Sequence, residues 1–202
     1  FNILVGDILS SITMKFFIYF IIITNISSMI KKNTIIEVKT DYGSIYVKLF
    51  VKEAPTTCNN FLRYIDEHRY KDFHFYRTVT MSNQPMSNIK IEVIQGGLCF
   101  EKHHQKLPPI LHETTNATGI KHMNGTISMA RIEPGSASSE IFICINDQPE
   151  LNYGGRRNID GQGFAAFGKV IKGLNVVKVI HSLPDKDQFL NKEVKINSIK
   201  RI

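Results

Sequence analysis

The clearest strand signal in the chain lies in Gly125-Thr126-Ile127-Ser128-Met129-Ala130-Arg131 and, shortly after it, in Ser139-Glu140-Ile141-Phe142-Ile143. Both pieces are short and rich in β-branched and apolar residues, and the segment 132–138 between them contains proline, glycine and serine. Short apolar runs bounded by turn residues are typical of β-strands. We therefore predict strands over Gly125–Arg131 and Glu140–Ile145.

The segments on both sides of this pair continue the same pattern. Thr34–Thr40 and Ser44–Phe50 flank the turn signal Asp41-Tyr42-Gly43, and this arrangement predicts a β-hairpin. Further short strands are predicted at Phe73–Val79, Ile91–Gln95, Phe164–Val170 and Val194–Ile202.

Two segments have the period of an amphipathic helix. Pro55 suits a first helical turn, and apolar residues follow it at helical spacing, at Cys58, Phe61, Leu62 and Ile65. A second helix is predicted to begin at Gly173 and to end before Pro184, with an apolar face made of Leu174, Val177 and Ile180. Many short strands and only two helices favour a β-barrel or a β-sandwich, and the periodicity does not distinguish the two.

Length and composition exclude several classes of protein. The chain has 202 residues, which corresponds to one domain with at most a tail, and 13 Gly, 7 Pro and 3 Cys are too few for collagen, low-complexity disorder or a disulfide scaffold. The net charge is +7, but basic residues form no run longer than a pair such as Arg156-Arg157. Nucleic-acid surfaces usually cluster their charge, so we expect no nucleic-acid partner.

The N-terminal segment has the pattern of a secretory signal. Met14-Lys15 precedes the apolar run Phe16–Ile23, and Thr24–Ser28 is polar with small residues. We predict a signal or anchor segment at residues 1–30, one folded domain at residues 31–202, and an exported protein, periplasmic or secreted. The alternatives are an uncleaved membrane anchor or a buried N-terminal element, and the protein is cytoplasmic if residues 14–28 are not a signal.

Four segments in order make the chain resemble a cyclophilin, with more similarity to the bacterial branch than to the eukaryotic one. Beside the 125–143 region already quoted, they are Phe75-Tyr76-Arg77, Ile94-Gln95-Gly96-Gly97 and Phe167-Gly168-Lys169-Val170. The resemblance covers roughly residues 34–202. It implies an all-β fold with two helices, namely an eight-stranded antiparallel β-barrel capped by two α-helices, with the substrate groove on the outer face of the barrel.

The same resemblance implies a peptidyl-prolyl cis/trans isomerase that acts on X-Pro bonds of polypeptide clients as a monomer and without a cofactor or metal. Matched position by position, Arg77 corresponds to the catalytic arginine and Gln95 to a contact with the substrate backbone. The substrate-binding residues implied are Phe142 at the floor of the proline pocket, Leu151 at one wall, Ala130 and Arg131 through their backbone, and Val93, Glu140 and Phe164.

The chain also departs from the family pattern. Glu92-Val93 stands where a Phe-Met pair is usual, Glu140 replaces a usual Gln, and Glu150 stands where Trp is frequent. A loop centred on Asn83-Gln84-Pro85 is inserted after Arg77. These changes leave open an alternative function, a catalytically weak module that binds proline peptides.

Several residues have simpler interpretations. Arg77 could pair with a surface carboxylate, and Phe142 could be an ordinary core residue. Three histidines, His103, His104 and His112, could form a metal site with Cys99 and Glu101, but their spacing fits no structural zinc pattern. We therefore predict that they are loop residues and that no metal is bound.

Overall fold

The computed structural model describes residues 34–99 and 103–202. The predicted signal or anchor at residues 1–30 lies outside these ranges. Within them, no helix combines the length and the hydropathy needed to cross a bilayer.

Nine strands form one antiparallel sheet in the order β1-β2-β7-β5-β6-β4-β3-β9-β8, and β1 also pairs with β9. That last pairing closes eight strands into a barrel, while the two-residue β8 extends β9 at its edge. The predicted eight-stranded antiparallel barrel is confirmed. The strands are β1 (Thr34–Thr40), β2 (Gly43–Leu49), β3 (His74–Val79), β4 (Val93–Gly97), β5 (Thr126–Met129), β6 (Ile141–Cys144), β7 (Ala165–Lys172), β8 (Asp185–Lys186) and β9 (Phe189–Arg201).

Both predicted helices are present, as α1 (Pro55–Asp66) and α3 (Leu174–His181). A short α2 (Thr115–Thr118) lies between them and was not predicted, because one turn has no period that a pattern can reveal. The Thr114 side chain accepts a hydrogen bond from the Ala117 N–H, and Gly119 ends the turn with φ of 73°. A 3₁₀ turn spans Pro149–Leu151.

The start of α1 is capped from a distant part of the chain. Ala54 offers no side-chain cap, and the Glu113 carboxylate accepts hydrogen bonds from the Thr56 N–H at 3.0 Å and the Thr57 N–H at 2.8 Å. The Thr57 hydroxyl donates to the same carboxylate at 2.7 Å. Glu113 therefore satisfies backbone donors at the helix start and places negative charge at the positive end of the helix dipole.

Apolar side chains are buried on both faces of the barrel wall. Ile141 and Ile143 on β6 point into the large core inside the barrel, while Phe142 and Cys144 belong to a second, smaller apolar cluster. Alternate strand residues point to opposite faces, so this second cluster lies on the outer face. The outer cluster comprises Val79, Ile91, Val93, Phe142, Cys144 and Leu151, with Ala130 and Phe164 packed against it.

The C-terminal strand begins earlier than predicted. We expected a strand from Val194, whereas β9 begins at Phe189. Asp187 and Gln188 have φ of 52° and 74°, and these positive values turn the chain between β8 and β9. Two successive left-handed residues make a tight hairpin turn of the kind that usually contains glycine, so the sequence carried no strong signal for it.

Candidate active site

A β-bulge in β3 places Arg77 on the outer face of the barrel. Phe75 pairs with Gly96 and Arg77 pairs with the next residue, Gln95, so the register shifts between Phe75 and Arg77. In a regular strand these two residues would share a face, and Phe75 lies in the interior core. The bulge therefore reverses the direction of the Arg77 side chain, which is a frequent use of bulges beside active sites.

Three of the predicted site residues form one row across three neighbouring strands. Arg77 on β3 is paired with Gln95 on β4, and Gln95 is paired with Phe142 on β6. Directly paired residues of antiparallel strands share a face and lie close together. The pairing register thus brings together a guanidinium, an amide and an aromatic ring that are far apart in sequence.

The Arg77 guanidinium is held by two neutral side chains. Nη1 donates to Gln95 Oε1 at 2.7 Å, while Nε and Nη2 donate to Gln188 Oε1 at 3.1 and 2.5 Å. A guanidinium has five N–H groups, so among the described residues these three bonds leave one N–H without an acceptor on each terminal nitrogen. Burial lowers the pKa of Arg77, and the positive charge of Arg157 lowers it further. In the described part of the chain, the partners of Arg77 are thus two glutamines rather than a surface carboxylate.

Gln95 is oriented by a chain of hydrogen bonds. Its Nε2 donates to the Tyr76 hydroxyl at 2.7 Å, and that hydroxyl donates to Glu140 Oε2 at 2.7 Å. Burial and the charge of Glu140 raise the pKa of Tyr76, so the phenol stays protonated as a donor. The amide of Gln95 is therefore fixed with its oxygen towards Arg77.

Glu140 is bound to the backbone of the loop that follows β4. Its Oε1 accepts hydrogen bonds from the N–H groups of Leu98 at 3.1 Å and Cys99 at 3.2 Å, and from the Ser139 hydroxyl at 2.8 Å. The Lys106 ammonium lies 3.6 Å from the same oxygen. A carboxylate accepts all of these bonds at once, which gives a structural reason for Glu at a position where the resemblance leads us to expect Gln.

The outer apolar cluster and the row at Arg77 border one cavity of about 670 Å³. All nine residues that the sequence analysis assigned to the site line this cavity: Arg77, Val93, Gln95, Ala130, Arg131, Glu140, Phe142, Leu151 and Phe164. The ring of Phe142 meets the ring of Phe164 edge to face, with centroids 5.3 Å apart. The geometry brings the predicted residues together, and their individual roles stay predictions.

Phe142 rests on a buried histidine that the sequence analysis missed. The His122 ring stacks on Phe142 with centroids 5.8 Å apart, and its two nitrogens lie 3.0 Å from Asn152 Oδ1 and from Ser128 Oγ. Burial lowers the pKa of His122 to about 4. The ring is therefore neutral at physiological pH, and its two hydrogen bonds fix the orientation of the surface that supports Phe142.

Arg131 supports another wall of the cavity. Its guanidinium donates to both carboxylate oxygens of Asp160, at 2.8 and 2.9 Å, and to the Gly163 carbonyl oxygen at 2.8 Å. It also lies over the Phe164 ring, 5.2 Å from the centroid. Asp160 therefore compensates the charge of Arg131, and a contact of the Arg131 backbone with substrate stays a prediction.

Two further contributors could not be found from sequence. Gln188 comes from the β8–β9 turn, and Arg157 comes from the loop before β7 and lines the cavity. Arg157 donates from Nη1 to Ser87 Oγ at 2.6 Å and to the Ile89 carbonyl oxygen at 2.5 Å, both in the inserted loop. Glu150 instead pairs with Arg156, and it is not among the residues that line the cavity.

The histidines of the loop after β4 have other partners. His103 Nε2 lies 3.4 Å from Asp72, His104 Nε2 lies 3.1 Å from the Gln105 amide, and His112 Nε2 lies 3.2 Å from the Gln162 carbonyl oxygen. In residues 34–99 and 103–202, no three His, Cys, Asp or Glu side chains are grouped so that they could hold a metal ion.

Comparison with known proteins agrees with this geometry. Residues 35–201 match the family model for "Cyclophilin type peptidyl-prolyl cis-trans isomerase/CLD". A peptidyl-prolyl cis-trans isomerase of Acinetobacter baylyi is 33% identical over 88% of this chain and 87% of its own length. Peptidyl-prolyl cis-trans isomerase B of Escherichia coli is 35% identical over 70% of this chain and 80% of its own length.

A solved structure gives the same result for the fold. The structure of a Cryptosporidium parvum cyclophilin-type isomerase, determined in the presence of the dipeptide Ala-Pro, superposes with a TM-score of 0.61 and 25% identity, over 82% of this chain and 96% of that one. Because the family model covers most of the chain and the bacterial relatives match over most of their length, this chain belongs to the cyclophilin-type peptidyl-prolyl cis-trans isomerases, which catalyse rotation about X-Pro peptide bonds.

Proposed function

We propose that Arg77 is the catalytic residue of this isomerase and that the outer apolar cluster seats the substrate proline. Rotation about an X-Pro bond must overcome a barrier of about 18–20 kcal/mol because amide resonance is lost. A barrier of about 19 kcal/mol allows roughly 0.1 turns per second, so a rate near a thousand per second requires the barrier to fall by about 5 kcal/mol. Rotation about this one C–N bond breaks no covalent bond, so it requires neither a nucleophile nor a metal.

The chemistry favours a fixed donor beside the rotating bond. When the bond twists, the prolyl nitrogen recovers its lone pair and accepts a hydrogen bond that the planar amide cannot accept. A donor aimed at that nitrogen stabilises the transition state more than the ground state. A charge-assisted bond contributes roughly 1.5–3 kcal/mol, so positioning and desolvation must supply the rest.

One observation carries this proposal. Arg77 is held by two neutral glutamines, Gln95 and Gln188, beside the same cavity as Phe142, and it keeps an unused N–H on each terminal nitrogen. Since no carboxylate in residues 34–99 and 103–202 pairs with Arg77, its positive charge is available to substrate. The guanidinium is partly desolvated, which strengthens its interactions with a bound ligand.

The cavity supports a matching role for its apolar side. Phe142 forms the floor, backed by His122, while Val93, Leu151 and Phe164 form apolar walls. A pyrrolidine ring is apolar and needs a seat of this kind. Ala130 and Arg131 then contact the substrate backbone, and Gln95 offers both a donor and an acceptor.

We also propose where the enzyme acts. The apolar N-terminal segment with Met14-Lys15 before it favours export, which makes proline-containing polypeptides outside the cytoplasm the clients. The protein acts as a monomer in this proposal, and a membrane is involved only if residues 14–28 are retained. Mass spectrometry of the mature protein tests this, because loss of residues 14–28 indicates a cleaved signal. A chain that keeps them is either anchored in a membrane or cytoplasmic, and cell fractionation distinguishes the two.

The catalytic role of Arg77 is tested by cis-to-trans exchange of a short proline peptide. We expect Arg77→Ala to lower kcat/KM by roughly 10- to 100-fold, the equivalent of one charge-assisted hydrogen bond. Arg63→Ala is a suitable control, because Arg63 lies on α1, does not line the cavity and pairs with Glu67 at the surface. Equal rates for the wild type and Arg77→Ala would remove the catalytic role of Arg77, and retained peptide binding without turnover would support a binding module.

A further inference from the structure

The cavity has more positive charge than its own side chains neutralise. Four basic residues line it, and the one acidic residue among the lining residues is Glu140; the four are Arg77, Lys106, Arg131 and Arg157. Lys106 faces Glu140 at 3.6 Å, and Arg131 forms its ion pair with Asp160. Among the described residues, the guanidinium groups of Arg77 and Arg157 therefore have no negatively charged partner.

Arg157 is held so that part of its guanidinium stays available. Both of its side-chain hydrogen bonds start from Nη1 and end on the neutral oxygens of Ser87 and Ile89. Within the described residues, Nε and Nη2 have no hydrogen-bond acceptor and no carboxylate lies within ion-pair distance. The inserted loop thus supports this arginine without neutralising it.

The neighbouring arginine shows the opposite arrangement. Arg156 donates from Nη2 to Glu150 Oε1 at 2.8 Å and from Nε to Oε2 at 3.2 Å, and it is exposed. The hydrogen bonds to Glu150 and the negative charge of that residue raise the pKa of Arg156, whereas burial lowers the pKa of Arg157. Two adjacent residues of the same type therefore differ, since one is neutralised at the surface and the other is unpaired at the cavity.

An unpaired guanidinium at a peptide-binding cavity favours an anionic side chain on the peptide. We infer that Arg157 is a specificity-determining residue that gives this isomerase a preference for substrates with Glu or Asp directly before or after the proline. This inference rests on the proposed function, because it assumes that proline peptides bind in this cavity. Arg77 is assigned to the imide nitrogen of the rotating bond, and the preference is assigned to Arg157 alone.

The preference is measured with matched peptides that carry Glu, Gln or Lys at the position before the proline or at the position after it. For the wild type at low salt, we expect kcat/KM to be about fivefold higher with Glu than with Gln at one of the two positions, and lower still with Lys. The ratio between Glu and Gln should fall towards one as salt rises to about 1 M, where screening shortens to roughly 3 Å.

Three variants assign the preference to one residue. Arg157→Gln should bring the ratio between Glu and Gln peptides close to one. Arg157→Lys keeps the charge and should retain part of the preference. Arg156→Gln removes an equal charge from the adjacent position and should leave the ratio unchanged. Removing the contacts of Arg157 with the inserted loop could lower activity towards every peptide. The ratio of kcat/KM for the Glu and Gln peptides is unaffected by such a general loss, because both values come from the same variant.

The possible outcomes separate this inference from the proposed function. Equal wild-type rates with Glu and Gln at both positions, or a preference that survives Arg157→Gln, overturn the inference while isomerase activity stands. If no peptide is turned over, the proposed function fails. In that case the affinities of the same peptides, measured by calorimetric titration, test the preference for an acidic residue. Equal affinities for the Glu and Gln peptides overturn the inference about Arg157.

Discussion

Gln188 receives two hydrogen bonds from the Arg77 guanidinium, although the two residues are 111 positions apart in sequence. Gln188 is itself fixed, because its amide donates to the Asn83 carbonyl oxygen at 3.0 Å and its N–H donates to Asp185 Oδ1 at 2.9 Å. Asn83 belongs to the inserted loop. The loop therefore helps to position the proposed catalytic arginine through a side chain of the C-terminal hairpin.

Removing this support should slow catalysis more than it weakens binding. Gln188→Ala leaves Arg77 in place but less ordered, so we expect kcat to fall about five- to tenfold with KM little changed, equivalent to roughly 1–1.5 kcal/mol. Steady-state kinetics on one proline peptide gives both constants. Lys186→Ala, an exposed residue of the same hairpin, is the control and should behave as the wild type.

Gln188→Glu tests whether the lack of a counter-charge matters. A carboxylate at this position would pair with Arg77 and neutralise it, so we expect at least the same loss of kcat with no loss of thermal stability. If Gln188→Glu keeps the wild-type kcat, catalysis does not depend on a neutral side chain beside Arg77.

Gly97 is required by the position of Glu140. A Cβ atom built at Gly97 overlaps the Glu140 carboxylate, so Gly97→Ala must displace that carboxylate from Tyr76 and from the backbone of Leu98. We expect a loss of about 1–3 kcal/mol in the free energy of unfolding, with reduced kcat/KM. Urea unfolding and peptide exchange measure the two effects.

A double-mutant cycle checks the cause of this loss. If overlap with Glu140 is responsible, the costs of Gly97→Ala and Glu140→Ala should not add, because each removes the same contacts. Additive costs would show that Gly97→Ala destabilises the protein for a reason other than overlap with Glu140. Gly119→Ala is the control for backbone strain, since its φ is 73° and a Cβ there meets open space.

His122 should make stability depend on pH. Its pKa is about 4 in the folded protein against an ordinary value of 6.5, so between these values the unfolded chain binds the extra proton. The stabilisation is complete above about pH 6.5 and is lost as the pH falls towards 4, by up to roughly 3 kcal/mol. Urea titrations from pH 7 to pH 4 measure it.

A substitution isolates the contribution of His122. Burial also lowers the pKa of His112, which therefore contributes a pH dependence of the same sign. His122→Gln should flatten the curve by the share that belongs to His122 and leave the rest. Identical slopes in the wild type and His122→Gln would contradict a buried, neutral His122.

Glu113 should stabilise α1 from outside the helix. Glu113→Ala removes the acceptor for two backbone N–H groups and one hydroxyl at Thr56 and Thr57, so we expect a loss of about 2 kcal/mol in the free energy of unfolding. Glu113→Gln keeps one acceptor oxygen and should lose less. The exposed Glu133→Ala is the control, and a loss of equal size there would rule out the capping role.

Most strands and the two long helices could be predicted from local sequence pattern, whereas the barrel and the apolar side of the site were implied by the resemblance to cyclophilins. The i, i+3, i+4 spacing after Pro55 identified α1, and alternation in β6 is consistent with one face inside the barrel and Phe142 on the other. The ordered motifs that carry the resemblance to cyclophilins implied the antiparallel barrel and nine of the residues that line the cavity. Alternation alone did not tell a barrel from a sandwich, since closure depends on the pairing of β1 with β9.

Long-range register and turn geometry determined the rest. Sequence spacing alone would place Phe75 and Arg77 on one face, and the bulge in β3 separates them. The partners Gln188, Arg157 and His122 reach the site from loops and turns that have no period, so no local pattern marks them. The amino-acid sequence by itself determined the eight strands of the barrel and the two long helices, and its resemblance to cyclophilins implied nine of the residues that line the cavity. Tertiary structure alone decided which side chains orient Arg77 and leave it uncompensated, because those contacts join segments that meet only after the barrel closes.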